Sequence, residues 1–163
     1  MADTRPLVHR PSDASAPGDP VSDQSLPARV KRYYERVSVD RDAALPDLAA
    51  IYSDDVHFIN PVVDQRGLSN FAAAWRKALK MYAVFEFDDI VVAGTDELFT
   101  LTYAMNIRFA VGPIFRTDMS TLCRGRNGKV VYCRDYFDPL GALAGPFPPL
   151  AWLYRVVFRR LVA

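Results

Sequence analysis

The sequence is poor in the residues that build metal and redox sites. It carries two cysteines, Cys123 and Cys133, and two histidines, His9 and His57. No His, Cys and carboxylate residues fall at zinc-ligand spacing, so no metal is expected. A Gly-rich phosphate loop, a Gly-x-Ser-x-Gly elbow and a Cys-x-x-Cys pair are all missing, which removes the chemistries those motifs serve. No apolar run approaches the ~20 residues of a membrane span. The N-terminal stretch has no apolar segment of the signal-peptide kind, and the expectation is a cytoplasmic protein. An excess of charge is absent too. Twenty Lys and Arg stand against 19 Asp and Glu, a net charge of +1, so no nucleic-acid partner is implied.

What is present is a globular composition. Half of the 163 residues are hydrophobic and 12% are aromatic, enough for one domain with a core. Residues 1–24 are rich in Pro, Asp, Ser and Ala without an apolar period and read as a disordered tail. Residues 25–138 carry the periodic segments of one domain. Residues 139–163 read as a proline- and glycine-containing linker and a basic amphipathic C-terminal helix belonging to the same domain.

Ser25 followed by Pro27 starts a helix, and Val30, Tyr33, Tyr34 and Val37 recur at helical spacing. A second, short helix is predicted over 46–52 and ended by Asp54-Asp55. A strand follows over 56–60, stopped by Pro61, then a third helix over 68–81 with Phe71, Ala72, Trp75 and Leu79 on its buried stripe. Four strands are predicted near 84–93, 98–109, 114–124 and 129–137. Turn residues separate them and no helix intervenes, which predicts an antiparallel meander. The last helix covers 150–161. The order predicts an α+β fold: a cone-shaped, curved, mixed or antiparallel sheet packed on three N-terminal helices, plus a C-terminal helix. Asn127-Gly128 marks a two-residue hairpin turn. That turn sets Leu122 opposite Cys133 and puts the thiols on opposite faces, which argues against a disulfide. A turn one residue longer reverses this.

The run Ile51-Tyr52-Ser53-Asp54-Asp55-Val56-His57-Phe58-Ile59-Asn60-Pro61, then Arg66-Gly67, resembles the strand-one entry of nuclear transport factor 2-like (SnoaL-like) proteins. Gly128-Lys129-Val130-Val131-Tyr132-Cys133-Arg134-Asp135-Tyr136-Phe137-Asp138 resembles their last strand, and the likeness covers roughly residues 26–138. It implies a cone enclosing an apolar pocket for a small hydrophobic ligand, with no cofactor. The superfamily hosts isomerases, cyclases, dehydratases, epoxide hydrolases and non-catalytic binders, so fold likeness alone selects no reaction.

Measured against ketosteroid isomerase, the base position is Asn60, which cannot take a proton from carbon. Tyr33 matches the oxyanion tyrosine, and the acid position falls on or near Ser120, with Asp118 one same-face step away. Measured against limonene epoxide hydrolase, Asn60 matches the water-holding Asn and Asp135 the base. Phe58 replaces a Tyr, and Tyr103 and Met105 stand where an Arg and an acid Asp are expected. The resemblance thus implies Asp135 as the acid-base group, Asn60 and Tyr33 as polar positioners and Asp118 as a substitute acid. Phe58, Trp75, Tyr103, Met105 and Ser120 would contact the ligand. For Trp75, Phe71, Phe85 and Phe87 core packing is the default reading. Strand alternation sets His57 on the face opposite Asn60, in a structural role.

Two hypotheses remain. One is a cofactor-free isomerase, cyclase or epoxide hydrolase using Asp135. The other is a non-catalytic binding or interaction module. A homodimer is implied, through an outer sheet face bearing Met119, Thr121 and Cys123. The final helix, with Trp152, Arg155, Arg159 and Arg160 on one side and an apolar stripe on the other, is either a lid, the favoured reading, or a membrane-surface contact.

Overall fold

The computed structural model describes residues 23–162. The predicted tail at 1–24, His9 included, lies outside the described residues apart from Asp23 and Gln24.

Helix α1 (Leu26–Val39) starts where the sequence signals it. The Ser25 side chain accepts from Ala28 N at 3.3 Å, and Pro27 occupies the first turn. Its buried face is Leu26, Val30, Tyr33, Tyr34 and Val37, the spacing of one helical stripe. The predicted helix at 46–52 resolves into α2 (Arg41–Ala44), a 3-10 turn (Leu45–Asp47) and α3 (Leu48–Ile51). Asp54-Asp55 does not end it. Those residues lie inside strand β1 (Tyr52–Asn60), which is longer than predicted. The short strand β2 (Val63–Arg66) pairs back on β1. Helix α4 (Leu68–Met81) has the predicted bounds.

The meander is β3 (Val84–Gly94), β4 (Leu98–Arg108), β5 (Phe115–Arg126) and β6 (Lys129–Tyr136). The sheet order is β2-β1-β6-β5-β4-β3. All neighbours are antiparallel except β1 and β6, which run parallel. Register shifts in β1, β3 and the β5–β6 pair bend the sheet, as bulges do. The result is a curved, unclosed six-stranded mixed sheet in an α+β fold. Its inner face is covered by α1, against β3 and β4, and by α4, against β1 and β2. Beyond β6, residues expected to form a linker hold α5 (Pro139–Ala144). It is capped by the Asp138 side chain, which accepts from Gly141 N. Helix α6 (Pro148–Val162) closes the chain.

Two expectations about the sheet are corrected. The Asn127-Gly128 turn is short as predicted, with Arg126 paired to Lys129. However, Gly125 pairs with Val130 and Arg124 with Tyr132, so Val131 is an extra residue on β6. That bulge moves Cys133 opposite Cys123. The two thiols are buried on the same face with sulfurs 3.2 Å apart, as free cysteines. Met119, Thr121 and Cys123 therefore do not form an outer face. They are 6%, 0% and 0% exposed and belong to the inner side. The outer face instead carries Arg124 over Tyr132 and Arg134 over Tyr136. The lid expected of the last helix is not observed either. Helix α6 packs on α5 and leaves its apolar stripe to solvent.

Candidate functional site

Inner positions of β4, β5 and β6 converge on one carboxylate. Asp135 is 8% exposed and pairs in register with Thr121. The Thr121 hydroxyl donates to its Oδ1 at 2.7 Å. Thr121 Oγ1 stands 3.0 Å from the Tyr103 hydroxyl, and its one proton is committed to Asp135, so Tyr103 donates to Thr121. The Tyr34 hydroxyl hydrogen-bonds Tyr103 in turn. A directed chain of hydroxyls from Tyr34 through Tyr103 and Thr121 thus ends on the carboxylate. Burial pushes the Asp135 pKa up to about 6, against the opposing effect of the Thr121 hydrogen bond. Burial outweighs the single donor because desolvation penalises the charged form directly. Burial also raises the phenol pKa values of Tyr34 and Tyr103, and the Asp135 charge adds to both shifts. The phenols therefore stay protonated and act as donors.

The sequence-predicted residues scatter around this centre. Asn60 lies at the end of β1, which pairs with β6 up to Ile59 and Arg134. Its amide oxygen accepts from Val62 N at 2.9 Å, bracing the turn into β2. Tyr33 is buried, but its hydroxyl has no hydrogen-bond partner. Burial raises its pKa and Asp47 adds to the shift, which places it towards the helical side. Its neighbour Tyr34, not singled out from sequence, joins the Asp135 chain. Adjacent helix positions differ by about 100°, so one of the pair had to turn away. Asp118 is exposed and Ser120 half-buried on the outer side. They line a shallow outer cleft of about 420 Å³ with Arg116 and Tyr136, across the sheet from Asp135.

The ligand-contact candidates other than Ser120 are inner residues. Phe58 packs on Phe71 at 4.9 Å. Trp75 meets Tyr33 at 5.5 Å and Phe87 at 6.1 Å. Tyr103 stands 5.3 Å from both Tyr34 and Phe87, and Met105 packs on the same cluster. Aromatic rings thus occupy the space between sheet and helices. Asp135 lines neither the outer cleft nor the clefts beside α4. His57 pairs with Asp64 at 2.7 Å and packs edge-on against Tyr132. Among the described residues, no group of three or more His, Cys, Asp or Glu could hold a metal ion.

Thr121 and Tyr34 are the neighbours of Asp135 that the sequence does not announce. Thr121 shares the inner face with Asp135 only because of the Val131 bulge, which the turn motif does not announce.

Residues 30–133 match the model of the SnoaL-like domain. No curated protein matches the chain. Among solved structures, a ketosteroid isomerase-like-fold protein from Catenulispora acidiphila, in complex with trimethylamine, superposes with a TM-score of 0.63 at 15% identity, covering 74% of this chain and 92% of that one. An NTF2-like protein from Burkholderia xenovorans gives 0.63 at 22% identity, over 78% and 98% of the two chains. A putative polyketide cyclase from Pseudomonas putida gives 0.59 at 22% identity, over 71% and 92%. At these identities the likeness concerns the fold.

Proposed function

The chain belongs to the SnoaL-like domain family, and from that premise we propose that it is a cofactor-independent acid-base enzyme acting on a small hydrophobic, carbonyl- or epoxide-bearing molecule, with Asp135 as the proton-transferring group. The observation that carries this reading is the Asp135 carboxyl buried on the inner face with the Thr121 hydroxyl as its donor, a burial that pushes its pKa up to about 6. A carboxyl tuned there can accept a proton at neutral pH and return it. The Tyr34–Tyr103–Thr121 chain holds the carboxyl in one orientation and donates to it both as the carboxylate and as the protonated acid. Phe58, Trp75, Tyr103 and Met105 supply the apolar wall. Side-chain rearrangement among these rings would admit the ligand. Asp118 and Ser120, on the outer side, have no part in it. Protonation of the substrate oxygen or carbon therefore falls to Asp135 itself, which returns the proton it has accepted.

A second reading is a binding module without turnover. It is favoured by the commitment of the Asn60 amide to Val62 N and by the rings that fill the interior.

One experiment separates them. Small apolar ketones are followed by NMR for deuterium uptake at the α-carbon, and apolar epoxides for ring opening. Asp135→Asn is expected to lower kcat/KM by a factor of roughly 10²–10⁴, the contribution of a general base, while the variant unfolds no earlier than the native chain at pH 7. The native rate should rise through a limb near pH 6 that the variant lacks. Undiminished turnover by Asp135→Asn removes the enzyme reading. Thermal stabilisation by compounds that are never turned over supports the binding module.

A further inference from the structure

Helix α6 turns an apolar stripe to solvent. Leu150, Leu153, Val157, Phe158 and Leu161 recur at three- and four-residue spacing, hence on one helical face, and are 52%, 50%, 43%, 44% and 75% exposed. The helix rests on α5, whose Leu140 and Leu143 are themselves 60% and 58% exposed. A chain of ring contacts carries the apolar surface further. Phe147, just before α6, lies 6.3 Å from Phe115, which lies 6.1 Å from Phe109. Beside them the turn between β4 and β5 exposes Val111 and Ile114. Isolated exposed apolar residues are ordinary, but a contiguous group across three elements marks a contact surface.

Charge identifies the occupant. From residue 139 to the end the sequence holds three arginines, Arg155, Arg159 and Arg160, and no Asp, Glu or Lys. Pairing the stripe with a second copy would bring together two helices that each carry three arginines, with Arg160 bordering the stripe and no acidic residue on either helix to answer them. An acidic protein segment would satisfy the arginines but needs a groove, and the apolar groups are spread over two helices and a turn. A deformable surface that is apolar beneath and anionic on top satisfies both. At 15 residues α6 is too short to cross a bilayer; among the described residues no helix is long and apolar enough.

We propose that α5, α6 and the β4–β5 turn form a docking face for an anionic phospholipid bilayer, with α6 lying in the plane of its surface. The leucine stripe enters the boundary between headgroups and acyl chains, by about 5–10 Å for such helices. The arginines reach lipid phosphates along their flexible stems.

The test is flotation of the full chain with vesicles of phosphatidylcholine alone or with about one-third phosphatidylglycerol, at low and high salt. The chain is expected to float with the anionic vesicles, not the neutral ones, and to be released by salt. Each arginine near an anionic surface is worth roughly fivefold in affinity. The triple variant Arg155→Gln, Arg159→Gln, Arg160→Gln should therefore bind on the order of a hundredfold more weakly. Leu153→Ser with Leu161→Ser should also lose binding, with unchanged thermal unfolding because both side chains are exposed. Absence of binding to anionic vesicles overturns the proposal, as does equal binding by the arginine variant. So does a lipid-free dimer that the leucine variant dissolves without any vesicle binding, since the stripe would then belong to a second copy.

Discussion

Asp135 carries its charge at a cost that depends on pH, and the sign of that dependence is unusual for a carboxylate. Most buried carboxylates are paired with cations and titrate below their ordinary value, so they stabilise the fold above that value. Asp135 has one neutral hydroxyl donor and titrates upward, to about 6. Below about pH 4 the carboxyl is protonated in both folded and unfolded chains, and the native state is spared any buried charge. Between about pH 4 and 6 the folded chain keeps the proton that the unfolded chain gives up, so stability falls as pH rises. Above the folded value the loss is complete, about 3 kcal/mol by linkage. Asp135→Asn keeps the shape and an acceptor for Thr121 but removes the charge. Denaturant unfolding of both proteins from pH 4 to 7 should therefore show the native chain losing about 3 kcal/mol relative to the variant. A difference that stays constant across that range would mean that the carboxylate is solvated in the folded chain.

At the scale of elements, three pieces meet at Gly125 in β5. Its N–H donates to Glu97 O in the turn between β3 and β4. The Asp96 side chain of that turn accepts from Leu26 N, at the start of α1. A Cβ on residue 125 would lie 1.9 Å from Asp96 O and 2.7 Å from Leu26 Cδ2. A backbone oxygen at that distance cannot rotate away, so Gly125→Ala must push the turn off β5 and loosen the helix start with it. The expected loss is about 3 kcal/mol, read as a lowered midpoint in thermal unfolding; an unchanged midpoint would mean that the turn is free to move. The same neighbourhood shows what the sequence could and could not announce. Helix α4 was legible because Phe71 and Leu79 recur on one stripe and both are buried. The meander was legible because turn residues separate four alternating runs. The β2 strand was not, since Val63-Asp64-Gln65-Arg66 holds a single apolar residue and carries no apolar alternation to read, although the folded strand alternates half-buried and exposed positions. Nor was the Val131 bulge, because an extra residue inside a strand leaves composition and turn motif unchanged. Yet that bulge decides which residues face Asp135. It turns Thr121 and Cys123 inward, so the site was readable to its central carboxylate and not to its hydroxyl partners. Asp118 and Ser120 were assigned to the site by likeness to relatives, and the side on which a strand residue falls depends on register, which likeness does not fix.

For the whole molecule, the division of labour along the chain has a measurable consequence. The core is assembled from α1, α4 and the sheet, and its fully buried side chains, from Leu26 to Cys133, all precede α5. Helix α6 contributes no buried residue to that core. Its Tyr154 hydroxyl bonds the Asp138 carboxylate at the start of α5, a contact exposed to water and hence worth little. Cooperative unfolding follows buried apolar area, so the C-terminal helix should be thermodynamically separable from the domain. A chain ending at Gly145 is expected to unfold in one transition with its midpoint within a few degrees of the full chain, the shift that a change below about 1 kcal/mol produces in a domain of this size. The shortened chain should also aggregate less on heating, because the exposed leucine stripe and Trp152 leave with the helix. A midpoint lowered by ten degrees or more, or a broadened transition, would show that α6 is bound into the cooperative unit. The apolar stripe would then be covered in solution by some part of the protein itself, and not held ready for an external surface.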